Sequence, residues 1–180
     1  AGPNYIVWAT WNPGDPKWGQ QWGPLNVKAP AAWDVTKGSA SVLVAVVDTG
    51  VRYTHEDLNS NYRGDIDKDF IASPPDLDAM DDNGHGTHCA GVIGAAMDNG
   101  KGIAGLAPKT QIVGVKVLDS TGLGSFEQVA AGIDYAHFEA HANIISMSLG
   151  AAASACNDPQ EPGACDSTKA AVDAGWADGV

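Results

Sequence analysis

Val42-Leu43-Val44-Ala45-Val46-Val47 runs straight into Asp48-Thr49-Gly50, and this stretch decides the fold. The six apolar residues are rich in β-branched side chains and leave no polar face. Such a run suits a strand buried on both sides, as the strands of parallel sheets are. It ends on a carboxylate. An unpaired buried charge is costly, so Asp48 needs partners. In open α/β sheets, sites form at the carboxyl ends of strands. Taken alone, an Asp at this place can also simply cap a turn.

Outward from this strand the pattern repeats. Residues 111–117 read as a second strand and residues 143–148 as a third. A helix is expected over residues 85–96. Its small residues Gly86, Ala90, Gly91, Gly94 and Ala95 permit close packing at the expense of helix propensity. Another helix is expected over 125–140 with Ser125 as its N-cap. A third covers Asp166 to Asp178 and stops at Gly179. A short helix is expected at 31–35 and a turn at Asn99-Gly100-Lys101-Gly102. Residues 59–84 are acidic, contain Pro and read as loop. Residues 1–30, rich in Trp, Pro, Gly and Asn, read as an arm packed on a domain whose N-terminal portion is 31–180. Strands alternating with helices predict an α/β fold with a mostly parallel central sheet flanked by helices. Val180 follows directly on a helix, where a further buried strand is expected, so the fold is expected to be incomplete in this chain.

The chain has 180 residues and is 44% hydrophobic, a globular composition. It carries 22 acidic against 10 basic residues, a net charge of −12. That balance argues against nucleic acid and anionic membrane as partners. Surplus carboxylates suit cations such as calcium. No apolar run approaches the roughly 18 residues that span a bilayer. There is no initiator Met and no signal peptide, so Ala1 reads as the start of a processed chain. Cys156 and Cys165 flank a short polar segment and read as a small disulfide loop, which implies an oxidising compartment; two free surface thiols are the alternative. Cys89, in a run of small apolar residues, reads as an unpaired buried thiol.

The second chemical segment is Asn83-Gly84-His85-Gly86-Thr87-His88-Cys89-Ala90-Gly91. Two histidines stand at i, i+3 among glycines, and glycines let a substrate or another chain approach closely. A histidine acts as a base at Nε2 once an acidic partner at Nδ1 fixes its tautomer, and Asp48 is the candidate partner. A zinc reading of His85 and His88 lacks an HExxH or CxxC framework. For His88 the favoured reading is a buried, hydrogen-bonded histidine. Asp-Thr-Gly also occurs in aspartic peptidases, where two such carboxylates share a proton, but this chain has one and is helix-rich.

Together these residues resemble the subtilases, the subtilisin-like serine peptidases. Residues 44–51 followed by His55-Glu56-Asp57-Leu58 look like their Asp box, and residues 85–91 are similar to their His box. Ile103-Ala104-Gly105-Leu106-Ala107-Pro108 and Ile145-Ser146-Met147-Ser148-Leu149-Gly150 match two further family segments. The Cys in the His box points to the thermitase- and proteinase K-like branch. The resemblance implies a subtilisin-like three-layer fold and peptide hydrolysis by an Asp-His-Ser triad. Asp48 would orient His85, His85 would be the general base, and His88 would support it. Cys89 would lie just behind His85, exposing activity to thiol-reactive metals such as mercury.

The resemblance extends to binding. Gly122-Leu123-Gly124 and Ser148-Leu149-Gly150 match the two segments that hold an extended peptide as added β-strands. Phe126, Val129 and Leu149 would line an apolar pocket, or else are ordinary core. Ca2+ is implied as a cofactor, with side chains from Asp15, Asp57 and Asn99 and main-chain carbonyls from Ala96, Lys101 and Ile103. A second ion in the acidic loop with Asp69, Asp76, Asp78, Asp81 and Asp82 is weighed against a plain solvated loop. No serine here sits in a nucleophile segment, and the oxyanion Asn is expected beyond Val180. The implied partner is therefore a C-terminal chain or segment carrying the catalytic Ser. Protein or peptide substrates, a propeptide and a protein inhibitor are further occupants of the cleft. The implied location is extracellular. The alternative is a catalytically inactive calcium-binding fragment that serves as a binding or structural module.

Overall fold

The structure is a computed structural model and describes residues 12–157 and 163–180. The first eleven residues of the expected arm lie outside this range, as does the middle of the segment between Cys156 and Cys165. The remainder of the arm is not featureless. It forms a 3-10 turn at Trp18–Gln20 and a short helix α1, Trp22–Asn26. The helix expected at 31–35 begins earlier, as α2, Ala29–Trp33. Pro30 in its first turn explains the shift, because that position needs no backbone N–H.

The strand β1, Leu43–Asp48, is wholly buried. The long loop after it contains a two-residue strand β2, Lys68–Asp69, that the sequence does not announce. Helix α3, His85–Gly94, ends two residues early. There the Ala95 carbonyl accepts from Gly105 N–H and Ala96 N–H donates to the Asp57 carbonyl, so the backbone leaves the helix to make these bonds. Strand β3 is Gln111–Lys116. Helix α4, Phe126–Asp134, starts on the expected Ser125 with a full capping box to Gln128. It then widens into a π-turn, Tyr135–Glu139, where Ala140 N–H reaches back five residues to Tyr135 O. Strand β4 is only Ile144–Ser146, so residues 147–150 leave the sheet. Short α5, Ala153–Cys156, and α6, Asp166–Asp178, follow. Gly179 stops α6 in the left-handed region, φ 85°.

The sheet order is β2-β3-β1-β4 and every pairing is parallel. Period-2 alternation along β1 sorts its side chains to two faces. Ala45 and Val47 join Val113, Val115, Val129, Ile133 and Ala171 in the core beneath α4 and α6. Val46 packs with Ile112, Val51, Leu58 and Ala90 beneath α3. The result is three layers, helices on both faces of one parallel sheet. In register, Asp48 pairs with Lys116, so the carboxyl ends of β1 and β3 meet at one sheet edge. No helix among the described residues is long and apolar enough to cross a membrane.

Candidate active site

Asp48 closes β1 and His85 opens α3, and the fold brings them together. His85 Nδ1 lies 2.7 Å from Asp48 Oδ1. The same oxygen accepts the Thr49 backbone N–H at 2.7 Å. Asp48 is fully buried, while the His85 side chain is 48% exposed, so the imidazole spans from a dry interior to an open surface. A carboxylate on Nδ1 leaves Nε2 facing outward as the nitrogen free for proton transfer. Asp48 Oδ2 is buried with no hydrogen-bond partner among the described residues.

Such closeness demands glycine at position 86. A Cβ there would lie 2.1 Å from Gly50 O and 3.1 Å from Asp48 Cβ. Any side chain would lift α3 off the end of β1.

Cys89 follows one turn after His85. It is outside the disulfide, as the reading of an unpaired thiol has it, but it is only partly buried, which corrects the expected burial. Its sulfur, a carboxylate oxygen of Asp48 and a ring nitrogen of His85 all lie within 4.8 Å of one another. Burial pushes the thiol above its ordinary range; the Ser148 hydroxyl works against this and the Asp48 charge adds to it. His88 is exposed on α3, which overturns its reading as a buried histidine.

A groove of about 750 Å³ runs beside His85. Gly122, Leu123 and Gly124 line it, as do Ser148, Leu149 and Gly150. Phe126 and Val129 line it as well. Leu123 is 70% exposed at the rim. Because β4 ends at Ser146, the backbone of 148–150 is not consumed by the sheet.

Away from the groove, Asp15 and Asp57 are 4% and 2% exposed. Both grip the loop that follows α3. Asp15 accepts from the N–H groups of Asp98 and Asn99 at 3.0 and 3.3 Å. Asp57 accepts from Asn99 Nδ2 at 2.7 Å and Ile103 N–H at 2.8 Å. Lys101 N–H donates to Asn99 Oδ1. A Cβ at Gly102 would lie 2.1 Å from Asp57 Oδ2, so the loop closes on the carboxylate only with glycine there. Two buried anions joined to one loop through neutral donors make a donor set that fits a hard dication, with the carbonyls of Ala96, Lys101 and Ile103 on the same loop.

The acidic loop divides differently from the sequence expectation. Asp69 Oδ1 accepts from Ile71 and Ala72 N–H, Asp76 from Asp78 N–H, and Asp78 from the Tyr53 hydroxyl. Asp81 and Asp82 do not belong with them. Asp81 is bonded to the start of α3, and Asp82 accepts from Lys116 Nζ at 2.6 Å. Lys116 escaped the sequence reading, although a lysine inside an apolar strand was the available signal. Cys156 and Cys165 form a disulfide with Cα atoms 5.2 Å apart.

Comparison with known proteins agrees with this geometry. The subtilase family model of peptidases matches residues 39–179. A thermophilic serine proteinase of Bacillus sp. strain AK1 is 46% identical over 151 residues, covering 83% of this chain and 36% of the relative. Thermitase of Thermoactinomyces vulgaris is 45% identical over 141 residues, covering 78% of this chain and 48% of thermitase. A solved protease of Pseudoalteromonas arctica superposes with a TM-score of 0.67 at 30% identity, covering 83% of this chain and 54% of that one. The chain thus spans roughly a third to a half of the length of these curated relatives. With the family model matching most of its length, this chain belongs to the subtilase family.

Proposed function

We propose that this chain supplies the acid and base of an extracellular, calcium-stabilised serine endopeptidase. The observation that carries the reading is the 2.7 Å contact between Asp48 and His85 at the mouth of the groove. Asp48 fixes the His85 tautomer and stabilises the imidazolium. His85 Nε2 takes the proton of a serine hydroxyl as that oxygen attacks the peptide carbonyl, then returns it to the leaving amine. An extended peptide lies between 122–124 and 148–150 as an added strand, held by main-chain hydrogen bonds. Phe126, Val129 and Leu149 receive one of its apolar side chains.

The serine and the oxyanion Asn come from a C-terminal chain or segment. Two features support this. The relatives are two to three times as long as the region they share with this chain. The β4 edge also carries exposed apolar surface, with Ile144 50% and Trp176 82% exposed beside a second cavity. A further strand against β4 covers that surface. Asp15, Asp57 and Asn99, with the carbonyls of Ala96, Lys101 and Ile103, would hold Ca2+, which pins the N-terminal segment to the loop after α3. The disulfide supports an oxidising, extracellular setting.

Intact-mass analysis followed by a serine-directed phosphonate label tests the proposal. Label on the Ser-bearing part, abolished by His85→Ala, is the expected result. A folded, homogeneous 180-residue species that labels nothing and has no companion sinks it and leaves the inactive calcium-binding module.

A further inference from the structure

Helix α3 places His85 in its first turn, where backbone N–H groups lack partners within the helix. Its N-cap residue is Gly84, which has no side chain to satisfy them. Three other residues take over. His85 N–H donates to Asn83 Oδ1 at 3.2 Å, Gly86 N–H to Thr49 Oγ1 at 2.9 Å, and Thr87 N–H to Asp81 Oδ2 at 2.9 Å.

Asp81 does more than cap. Its Oδ1 accepts from Asn83 N–H at 3.0 Å, from Gly84 N–H at 2.9 Å and from the Thr49 hydroxyl at 2.9 Å. Its Oδ2 also accepts from the Thr87 hydroxyl. That hydroxyl in turn accepts Arg52 N–H at 2.9 Å, just past the Asp48-Thr49-Gly50 exit. One carboxylate therefore holds both sides of the site: the turn that presents His85, and the residue directly after Asp48. Thr49 is the shared post, since its hydroxyl donates to Asp81 while accepting Gly86 N–H. The carbonyl of Thr49 is clamped as well, by Lys116 Nζ at 2.7 Å, and that buried lysine also holds Asp82. Thus Asp81 takes Thr49 by its hydroxyl, and its neighbour Asp82, through Lys116, takes Thr49 by its backbone.

We infer that Asp81 is a positioning residue for the Asp48–His85 pair, setting their separation from a single carboxylate bonded to Thr49 and to the first turn of α3. This rests on the triad reading above. The carboxylate suits the task. Burial works to raise the Asp81 carboxyl, but the bonds from Thr87, Gly84 and Asn83 outweigh it and hold it below the usual carboxylate range. Asp81 is therefore ionised at neutral pH, and its charge faces the positive end of the α3 dipole. An Asn at this position keeps one acceptor oxygen but turns an NH2 group toward the two Thr87 donors.

The test is NMR of this chain together with its Ser-bearing part, with 15N-labelled histidine in this chain. The His85 Nδ1 proton, hydrogen-bonded to Asp48, is expected as a downfield resonance that Asp48→Ala removes. Asp81→Asn is expected to shift it upfield or broaden it away, with the His141 resonances unmoved. Thr49→Val, which keeps the volume and deletes only the bridging hydroxyl, gives a smaller change in the same direction and serves if Asp81→Asn does not fold. In the enzyme completed by its Ser-bearing part, Asp81→Asn lowers kcat by about 10²-fold, the cost of a displacement near 1 Å, with KM little changed. An unmoved Nδ1 resonance in both folded variants overturns the inference while leaving the triad reading intact. Absence of any Asp48-dependent resonance in the wild type overturns the triad reading, and this inference with it.

Discussion

Gly86 sits against Gly50 so closely that a methyl group on Gly86 would lie 2.1 Å from the Gly50 carbonyl oxygen. That oxygen belongs to rigid backbone two residues past Asp48, so it has little freedom to yield. Gly86→Ala must therefore move α3, and His85 with it. Overpacking of this kind costs about 1–3 kcal/mol, measurable by urea denaturation of the chain. The loss of activity in the completed enzyme should be larger, about 10²-fold in kcat/KM. A Gly86→Ala protein with unchanged stability and activity would show that α3 and β1 are not in this contact.

Calcium makes a second prediction through Asp57. An ion that binds only the native state at about 100 times its Kd adds about 2.7 kcal/mol. For a chain of this size that corresponds to a Tm shift on the order of 5–10 °C between calcium and chelator. Asp57→Asn should remove most of the shift and weaken calcium binding measured by calorimetry. If the wild type melts at the same temperature in both conditions, the ion-binding role of Asp15, Asp57 and Asn99 fails.

The legible parts of this protein were those written in local pattern. β1 needed only its continuous apolar run, and α6 only its span from Asp166 to a glycine stop. The Asp48–His85 contact was legible because a buried carboxylate demands a partner and the glycine-flanked His85 was the candidate. Other features depend on distant groups. The π-turn accompanies Tyr135, whose hydroxyl reaches Ile66 O across 69 residues of sequence. β2 exists because β3 offers a free edge to Lys68 and Asp69. Asp81 looked like one more charge in an acidic run, and only folding separates it from Asp76 and Asp78.

A third prediction concerns pH and the pair Tyr62–Asp67. Asp67 is 2% exposed; its Oδ2 accepts the Tyr62 hydroxyl at 2.8 Å, and its Oδ1 is unpartnered among the described residues. Burial raises the Asp67 carboxyl above its usual range, with the Tyr62 bond acting against the rise. Burial, and then the Asp67 charge, push Tyr62 far above the ordinary tyrosine range, so its proton stays in place at any working pH. A raised folded-state value means stability is fully present below the unfolded carboxyl value, about 3.9, and is lost as pH rises through the folded one. Tyr62→Phe removes the donor that eases this loss. Its cost should be greatest, about 1.5–3 kcal/mol, above the raised carboxyl value, where Asp67 is the charged acceptor, and smaller below it. Denaturation curves at pH 3, 5 and 7 measure this, and an equal cost at all three contradicts it.

The last prediction uses Cys89 as a reporter of the site. Its raised thiol value leaves little thiolate at pH 7, so alkylation by iodoacetamide should be slow there and accelerate only above the ordinary thiol range. In denaturant the same cysteine should react faster at pH 8. Mercury binds thiols far more tightly and does not need a preformed thiolate to compete. Once on Cys89, the metal lies within reach of a ring nitrogen of His85 and a carboxylate oxygen of Asp48, which sit within 4.8 Å of the sulfur and of one another. It therefore competes with the contact between Asp48 and His85. Mercury should inhibit the completed enzyme, and Cys89→Ala should remain active and become insensitive. If Cys89→Ala is inhibited as strongly as the wild type, the metal acts elsewhere and the sulfur does not stand behind the imidazole as the structure places it.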